Sequence, residues 1–289
     1  MQYLVFSLSL LALAAVTVIY AAFDVFNDRN VPNSFAYASV ILGLAVTVAF
    51  NSGILVFSIA LALLVGALGY LVYRMGFWGA GDVFELAAVT LLLPLQNSPL
   101  LPYFTQISQL GLPFVLSVFI ATGFAAVWLV PIYYLIVYRN EEVTSRVSGR
   151  RIALGAALLA TYAALFLVIY ALYGISPLKV VILVAIAVPS ALTMIFEEKI
   201  TAGMIRFIPP RELEEGDMIA TNMLSAKESA RLSKRYKGFG RLVTKKFIGE
   251  VKGAKESLPV YRNAVPLAVF ILAGVVISLL LGNLILLMI

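Results

Sequence analysis

The chain contains neither cysteine nor histidine. That excludes disulfides, thiol nucleophiles and imidazole bases, and with them HExxH zinc hydrolysis and any Ser-His arrangement. Charge is scarce as well, at 12% of 289 residues, while 62% are hydrophobic and the mean hydropathy is +1.00. A soluble domain of this size would need far more polar surface, so the apolar excess must face lipid. The net charge of +6 does not point to nucleic acid, because the basic residues cluster beside apolar runs and read first as membrane topology signals. No Lys or Arg precedes the first apolar run, and the first basic residue is Arg29. A cleaved signal normally opens with a basic segment, so residues 3–23 are expected to remain as a span. Lysines fall at 199–255 and at Lys179, none of them in mid-span. A hydrolase built from this chain must rely on carboxylates, or on Ser or Thr with a Lys base, and the placement of the lysines favours carboxylates.

What the chain has in abundance is long apolar runs. A bilayer core takes roughly 20 apolar residues as a helix. By that measure eight spans are expected, at 3–23, 34–50, 54–73, 83–95, 112–138, 152–173, 178–196 and 264–288. The fourth is short for a crossing. Pro94 would end its regular part, with Leu95 to Leu101 continuing outward. Segments near Arg29, near Arg74, at 139–151 and at 199–262 carry Lys or Arg, and the alternate connections at 51–53, 96–111 and 174–177 carry none. Eight spans alternate with that pattern, placing the N-terminus outside and every basic loop in the cytoplasm. The expected fold is an all-α polytopic membrane protein with a small cytoplasmic domain inserted before the last helix. Its parts are a seven-helix core at 1–196, a soluble unit of helices and strands at 197–262, and a final span at 263–289. The unit's length argues against a large core of its own.

Ionisable residues in or beside the early spans are few: Asp24, Asp28, Arg29, Arg74, Asp82 and Glu85. A charged side chain at bilayer depth costs about 2.5–3.5 kcal/mol on insertion scales, so its presence hints at function. Asp24 closes the first span and Asp82 opens the fourth, so topology puts both at one face and depth. Taken alone, each has a bland reading. Asp82 suits a helix N-cap with Glu85 at N3, and Asp24 suits a simple interfacial acid. The pairing across topology favours a catalytic dyad. Gly79 and Gly81 would let backbone approach closely around Asp82.

Gly79-Ala80-Gly81-Asp82 matches the GxGD signature, and the chain resembles the type IV prepilin and archaeal preflagellin branch of the intramembrane aspartyl peptidases. An Asp after the first span, then GxGD before the fourth, is that branch's order. Arg29-Asn30-Val31-Pro32-Asn33 is similar to its basic-residue–x–Val/Ile–Pro–Asn stretch. Residues 213–220, Leu-Glu-Glu-Gly-Asp-Met-Ile-Ala, resemble a Leu-x-Glu-Gly-Asp stretch of archaeal members. Two departures stand out. Phe84 occupies the place of the family's usual Lys, removing a cation beside Asp82. The interval from Asp24 to Pro32 is one residue longer than the usual pattern, which leaves Asp28 open as the first catalytic acid. The resemblance implies Asp24 and Asp82 as catalytic residues, with Gly79, Gly81 and Asp28 in support and no cofactor or metal.

Two carboxyls sharing a site cannot both ionise cheaply and titrate as a unit. One then takes a proton from a water while the other donates to the scissile carbonyl. The resemblance further implies prearchaellin- or prepilin-like precursor partners, with a basic leader and an apolar helix, cut at the cytoplasmic membrane face. Glu85, Glu141 and Glu142 would attract a basic leader, or act only as a cap and solvated loop charges. Lysines and arginines of 197–262 read as topology signals and anionic-lipid contacts. Gly216-Asp217 repeats the Gly-Asp pair but lies in the polar region, where a catalytic role is not expected. Trp78 reads as an interfacial anchor. Two other classes stay open: an ion- or proton-coupled transporter using Asp24 and Asp82, and a scaffold that would tolerate loss of either acid.

Overall fold

The computed structural model describes residues 2–27, 30–50, 52–75, 78–95, 113–137, 148–174, 177–221, 224–236, 239–254, 256–261 and 267–284. Each of the eight apolar runs forms a helix. They are α1 (Gln2–Phe26), α2 (Asn33–Phe50), α3 (Leu55–Arg74), α4 (Ala80–Leu92), α5 (Phe114–Val137), α6 (Gly149–Tyr173), α7 (Pro177–Ile195) and, after a mixed insert, α11 (Leu267–Leu281). Five of these, α1, α2, α3, α5 and α6, are long and apolar enough to cross a membrane. A sixth is reached if α7 and the helix that follows it, bent by 72° at the break, form one span. The chain is therefore a multi-pass helical membrane protein. At 13 and 15 residues, α4 and α11 are shorter than the roughly 20 that a straight crossing needs.

Enclosure explains the short α4. It packs against α2, α3 and α1, and more lightly against α5 and α11. Its second half is largely apolar and buried, and Ala88, Val89, Leu91 and Leu92 are each 4% exposed or less. A helix that is apolar all round is one that neighbours surround. Leu92 ends it just before Pro94, as expected from proline's missing donor. Leu95 bridges antiparallel to Pro113, and the Phe114 N–H donates to the Pro94 carbonyl at 3.3 Å, so both ends of the connection are tied together. Residues 96–101 lie outside the described residues.

Glycines set two of the closest approaches. A Cβ on Gly81 would sit 2.9 Å from Val31 Cγ2, so the stretch of chain before α2 is seated on the first turn of α4. One on Gly274 would lie 2.7 Å from the Val118 carbonyl oxygen and 2.8 Å from the Thr122 nitrogen, which brings α11 against α5 backbone to backbone. Small residues at such crossings let helices gain packing contacts that lipid cannot supply.

Between α7 and α11 the chain forms α8 (Glu197–Met204), β1 (Arg206–Ile208), α9 (Ala226–Arg235), α10 (Lys245–Val251) and β2 (Leu258–Val260). β1 and β2 pair antiparallel, with Phe207 opposite Pro259. Ile208, Ile219, Tyr236, Val243, Phe247 and Val260 share a small apolar cluster of the insert's own. Gly216 adopts φ +96, a conformation that side chains disfavour. Asp217 closes that turn, its Oδ2 accepting from the Glu214 N–H at 2.9 Å, and its carbonyl accepts from the Val243 N–H at 2.8 Å. The Gly216-Asp217 pair is thus a turn device within the insert. Arg151 at the start of α6 pairs with Glu197 and Glu198 of α8.

Gly274→Val places its branched side chain against backbone atoms that cannot yield. It is expected to destabilise the protein by about 1–3 kcal/mol, read as a lowered unfolding temperature in detergent. Gly81→Val meets a movable side chain instead. It should displace the 31–33 stretch at smaller stability cost, with increased proteolytic cleavage beside Val31 as the measurement.

Candidate active site

Four chain segments meet at one end of the bundle: the last turn of α1, the stretch into α2, the first turn of α4 and the first turn of α11. Asp24 lies within the last turn of α1 rather than beyond it, and is only 9% exposed. Its Oδ2 accepts from the Ala268 N–H of α11 at 2.9 Å, across 244 residues of sequence. The first N–H groups of a helix have no partner within it, so α11 offers this donor by virtue of starting here. Residues 258–260 of β2 lead into α11, so the insert joins the bundle at the same end.

Asp82 is the third residue of α4. Its Oδ2 accepts from the Gly79 N–H at 2.7 Å. Gly79 stands just before the helix with extended backbone, φ −78 and ψ 158. The carboxyl thus reaches back over its own helix start, the half of a capping box that the N3 side chain supplies. Gly79 has no side chain to return the bond. The sequence reading with Asp82 at N-cap and Glu85 at N3 is therefore displaced by one turn: Asp82 itself holds N3. Gly79 and Ala80 are exposed at the mouth of this turn. Gly81 is filled over by Val31 rather than left open. The GxGD glycines and the Val31-Pro32-Asn33 stretch are thus one packing unit.

Glu85 is not a cap and is not available to a basic leader at the surface. It is 0% exposed, one turn deeper than Asp82 on α4. Neither of its carboxyl oxygens has a hydrogen-bond partner among the described residues. The charges of Asp82 and Asp24 both reach it. Asp24 thus lies in the last turn of α1, Asp82 and Glu85 lie in the first two turns of α4, and the two helices pack on one another. Asp28, Glu141 and Glu142 lie outside the described residues.

Two further residues belong to this part of the bundle. Tyr20, one turn before Asp24, is fully buried, and its hydroxyl lies 2.9 Å from Ser39 Oγ of α2. The charges of Glu85 and Asp82 reach that hydroxyl. Ser39 in turn donates to the Ala36 carbonyl at 2.8 Å. Buried polar groups that pair across helices are costly to misplace and so fix the packing around them. The i to i+4 spacing of Tyr20 and Asp24 was available in the sequence as a sign that they share a face. Ser39 carried no signal, since hydroxyls in spans usually bond back to their own helix, as Thr17 and Thr90 do here.

Phe84 explains itself by direction. Its ring meets Tyr37 of α2 edge-on with centroids 5.3 Å apart, so this position serves packing between α4 and α2. Trp78, read as an interfacial anchor, is partly buried and packs against Phe119 of α5 at 5.9 Å.

Chemically, a half-buried carboxyl at the start of α4 and a buried one that accepts from the first turn of α11 are groups that can move protons without any metal ligand or thiol. Neither a curated protein nor a solved structure matches the chain. Residues 11–130 do match the model of the type IV leader peptidase family, and over that stretch, which holds Asp24, Gly79, Gly81, Asp82 and Glu85, the chain is similar to that family.

Proposed function

We propose that the protein is an aspartic-type endopeptidase that removes the basic leader from prearchaellin or type IV prepilin-like precursors at the cytoplasmic face of the membrane, with Asp24 and Asp82 as its catalytic pair. The observation that carries this reading is the packing of α1, whose last turn holds Asp24, against α4, whose first turn holds Asp82. It falls inside the stretch that matches the leader peptidase family.

In the proposed reaction a water lies between the two carboxyls. The ionised aspartate takes one proton from it as the water oxygen bonds to the scissile carbonyl carbon. The protonated aspartate donates to the carbonyl oxygen, giving a neutral tetrahedral species. Collapse of that species breaks the C–N bond, and the proton gained from water passes to the departing amine. One carboxyl must begin charged and the other neutral, which like charges held close together favour. No covalent intermediate is required.

The substrate's two halves fit the two environments at this end of the bundle. Its apolar helix suits the lipid beside α1 and α4, and its basic leader suits the aqueous side, where the loops of this chain are also basic. The scissile bond then falls at the boundary, level with the helix ends that hold Asp24 and Asp82. The peptide has to be extended there, because helical hydrogen bonds would cover its carbonyl. We further propose that residues 197–262 form a cytoplasmic unit. Exposed Lys227, Arg231, Lys234 and Arg235 of α9 give it a basic face suited to anionic headgroups.

Purified protein in detergent, given a peptide with a basic leader and an apolar helix, tests the reading. Asp24→Asn and Asp82→Asn should each lower the cleavage rate by about 10²–10⁴-fold while the unfolding temperature is kept. Asp28→Asn should leave cleavage intact. Loss of cleavage in Asp28→Asn with retention in Asp24→Asn would move the first catalytic position to Asp28. Ion uptake that depends on both acids, with no proteolysis, would establish a carrier in place of a peptidase.

A further inference from the structure

Asp82 accepts from the N–H of a glycine, and a glycine does not hold its own backbone still. Gly79 is exposed and has no side chain to lodge against a neighbour. Its N–H lies ahead of the hydrogen-bond ladder of α4, yet it has to keep pointing at Asp82 Oδ2, 2.7 Å away. That N–H belongs to the peptide group shared with Trp78. The group is planar from the Cα of Trp78 to the Cα of Gly79, so the direction of the N–H depends on where both of those atoms are held. The Gly79 end is held by α4, whose first turn is seated against Val31 at Gly81. The Trp78 end is held by its side chain.

The indole of Trp78 is partly buried against the apolar cluster that α1, α4, α5 and α11 share, and it packs on the Phe119 ring of α5. Phe119 is the sixth residue of α5, about 7–8 Å along that helix from Phe114, which is tied to Pro94 beyond the far end of α4. Trp78 stands before the near end, and α4 is about 20 Å long. The two rings therefore meet alongside α4, within its length, whereas a simple interfacial anchor lies level with the headgroups. The contact also crosses a sparse boundary. α5 packs lightly on α4 but closely on α11, at the Gly274 crossing, and α11 donates the Ala268 N–H to Asp24. Trp78 thus joins the turn that donates to Asp82 to the helix pair that donates to Asp24.

We infer that Trp78 is a positioning residue of the peptidase site, whose contact with Phe119 keeps the Gly79 N–H aimed at Asp82 and holds that turn in register with the α5–α11 pair. It acts through the Trp78–Gly79 peptide group and not on the scissile bond. Loss of the indole releases one end of that group, and a carboxyl whose donor wanders spends less time in the geometry that the reaction needs. Asp82 makes further interactions besides this one, so the reaction should slow rather than stop. The inference rests on the peptidase reading above.

The test is a double-mutant cycle on cleavage of the basic-leader peptide, with Trp78→Ala, Phe119→Ala and the two combined. Trp78→Ala is expected to lower kcat by about 10–100-fold with KM little changed. Phe119→Ala should lower kcat to a similar degree, although Phe119 is half exposed on α5 and distant from Asp82 in sequence. The combined variant should be no slower than Trp78→Ala alone, because residues that act through one contact do not add. Trp78→Phe keeps a ring in place and should recover most of the rate. Phe166→Ala breaks an aromatic stack with Tyr170 inside α6 and should leave kcat as it was, which controls for the general cost of losing such a contact. Losses that add in the combined variant overturn the inference, and so does a Phe119→Ala protein that keeps the wild-type rate. A change confined to KM overturns it too, making Trp78 a substrate contact, and an unchanged kcat in Trp78→Ala makes it a packing residue only. Should an alanine variant fail to fold, Trp78→Leu and Phe119→Leu carry the cycle under the same criteria. In all these outcomes the wild type cleaves and the peptidase reading stands, whereas a wild type that does not cleave ends both.

Discussion

Asp24 is buried where an apolar bundle closes, and its carboxyl accepts from the backbone N–H of Ala268. Much else follows from this one bond. It requires α11 to begin at the depth where α1 ends, since only the first turn of a helix has N–H groups to spare. It closes the bundle, tying the first helix to the last. It also fixes where the 197–261 insert must return to the bundle, a few residues before that first turn. A side chain in place of backbone would have made the same contact adjustable. A helix start makes it rigid.

The opposite wall of the site is held by a different kind of donor. Asp82 accepts from the Gly79 N–H, three residues away on its own chain, so a local turn helps to orient this carboxyl. It also needs room, and Gly81 provides that by accepting Val31 where a side chain would stand. One aspartate is thus positioned by long-range closure of the bundle and the other by a local turn. The two are brought to one neighbourhood by the packing of α1 on α4, with Tyr20 and Ser39 bridging α1 to α2 behind them.

This division also marks what the sequence could reveal. Asp24, Asp82 and the glycines around Asp82 were legible, because acids and Gly-x-Gly-Asp stand out against apolar runs. So were the eight helices, since apolar length alone forces them. Their faces were not legible. In α5 and α11 the apolar character is so uniform that no stripe tells which side meets protein and which meets lipid, and the Gly274 crossing shows the answer only in three dimensions. The Ala268 donor was out of reach for a more basic reason: a backbone N–H carries no residue type. Glu85 was visible as an acid, yet its depth was misjudged. Counting from Asp82 as N-cap put it at the surface turn, whereas Asp82 occupies N3 and Glu85 lies a turn inside. Beyond Leu95 the expected Leu95–Leu101 continuation lies outside the described residues, and what the sequence did not show is that Leu95 would pair with Pro113.

The family match ends at residue 130, within α5, and yet the arrangement around Asp24 is incomplete without α11. Between them lie α6, α7 and the insert. α6 is mostly exposed in the isolated chain, packs chiefly on α7, and takes no part in the packing of α1 on α4. Most hydroxyls of the spans are likewise silent, bonding back to their own helices. Besides the exposed pairing of Arg151 with α8, three buried polar contacts among the described residues cross between helices: Tyr20 with Ser39, Thr47 with the Leu91 carbonyl at 2.6 Å, and Asp24 with Ala268. All three join members of the set α1, α2, α4 and α11. In lipid, where apolar packing distinguishes poorly between one helix neighbour and another, such contacts specify which helices associate. The site and the specificity of the fold therefore draw on the same few groups. α11 thus serves the site through a backbone amide, which sets no residue type at Ala268, while its packing on α5 does set one at Gly274.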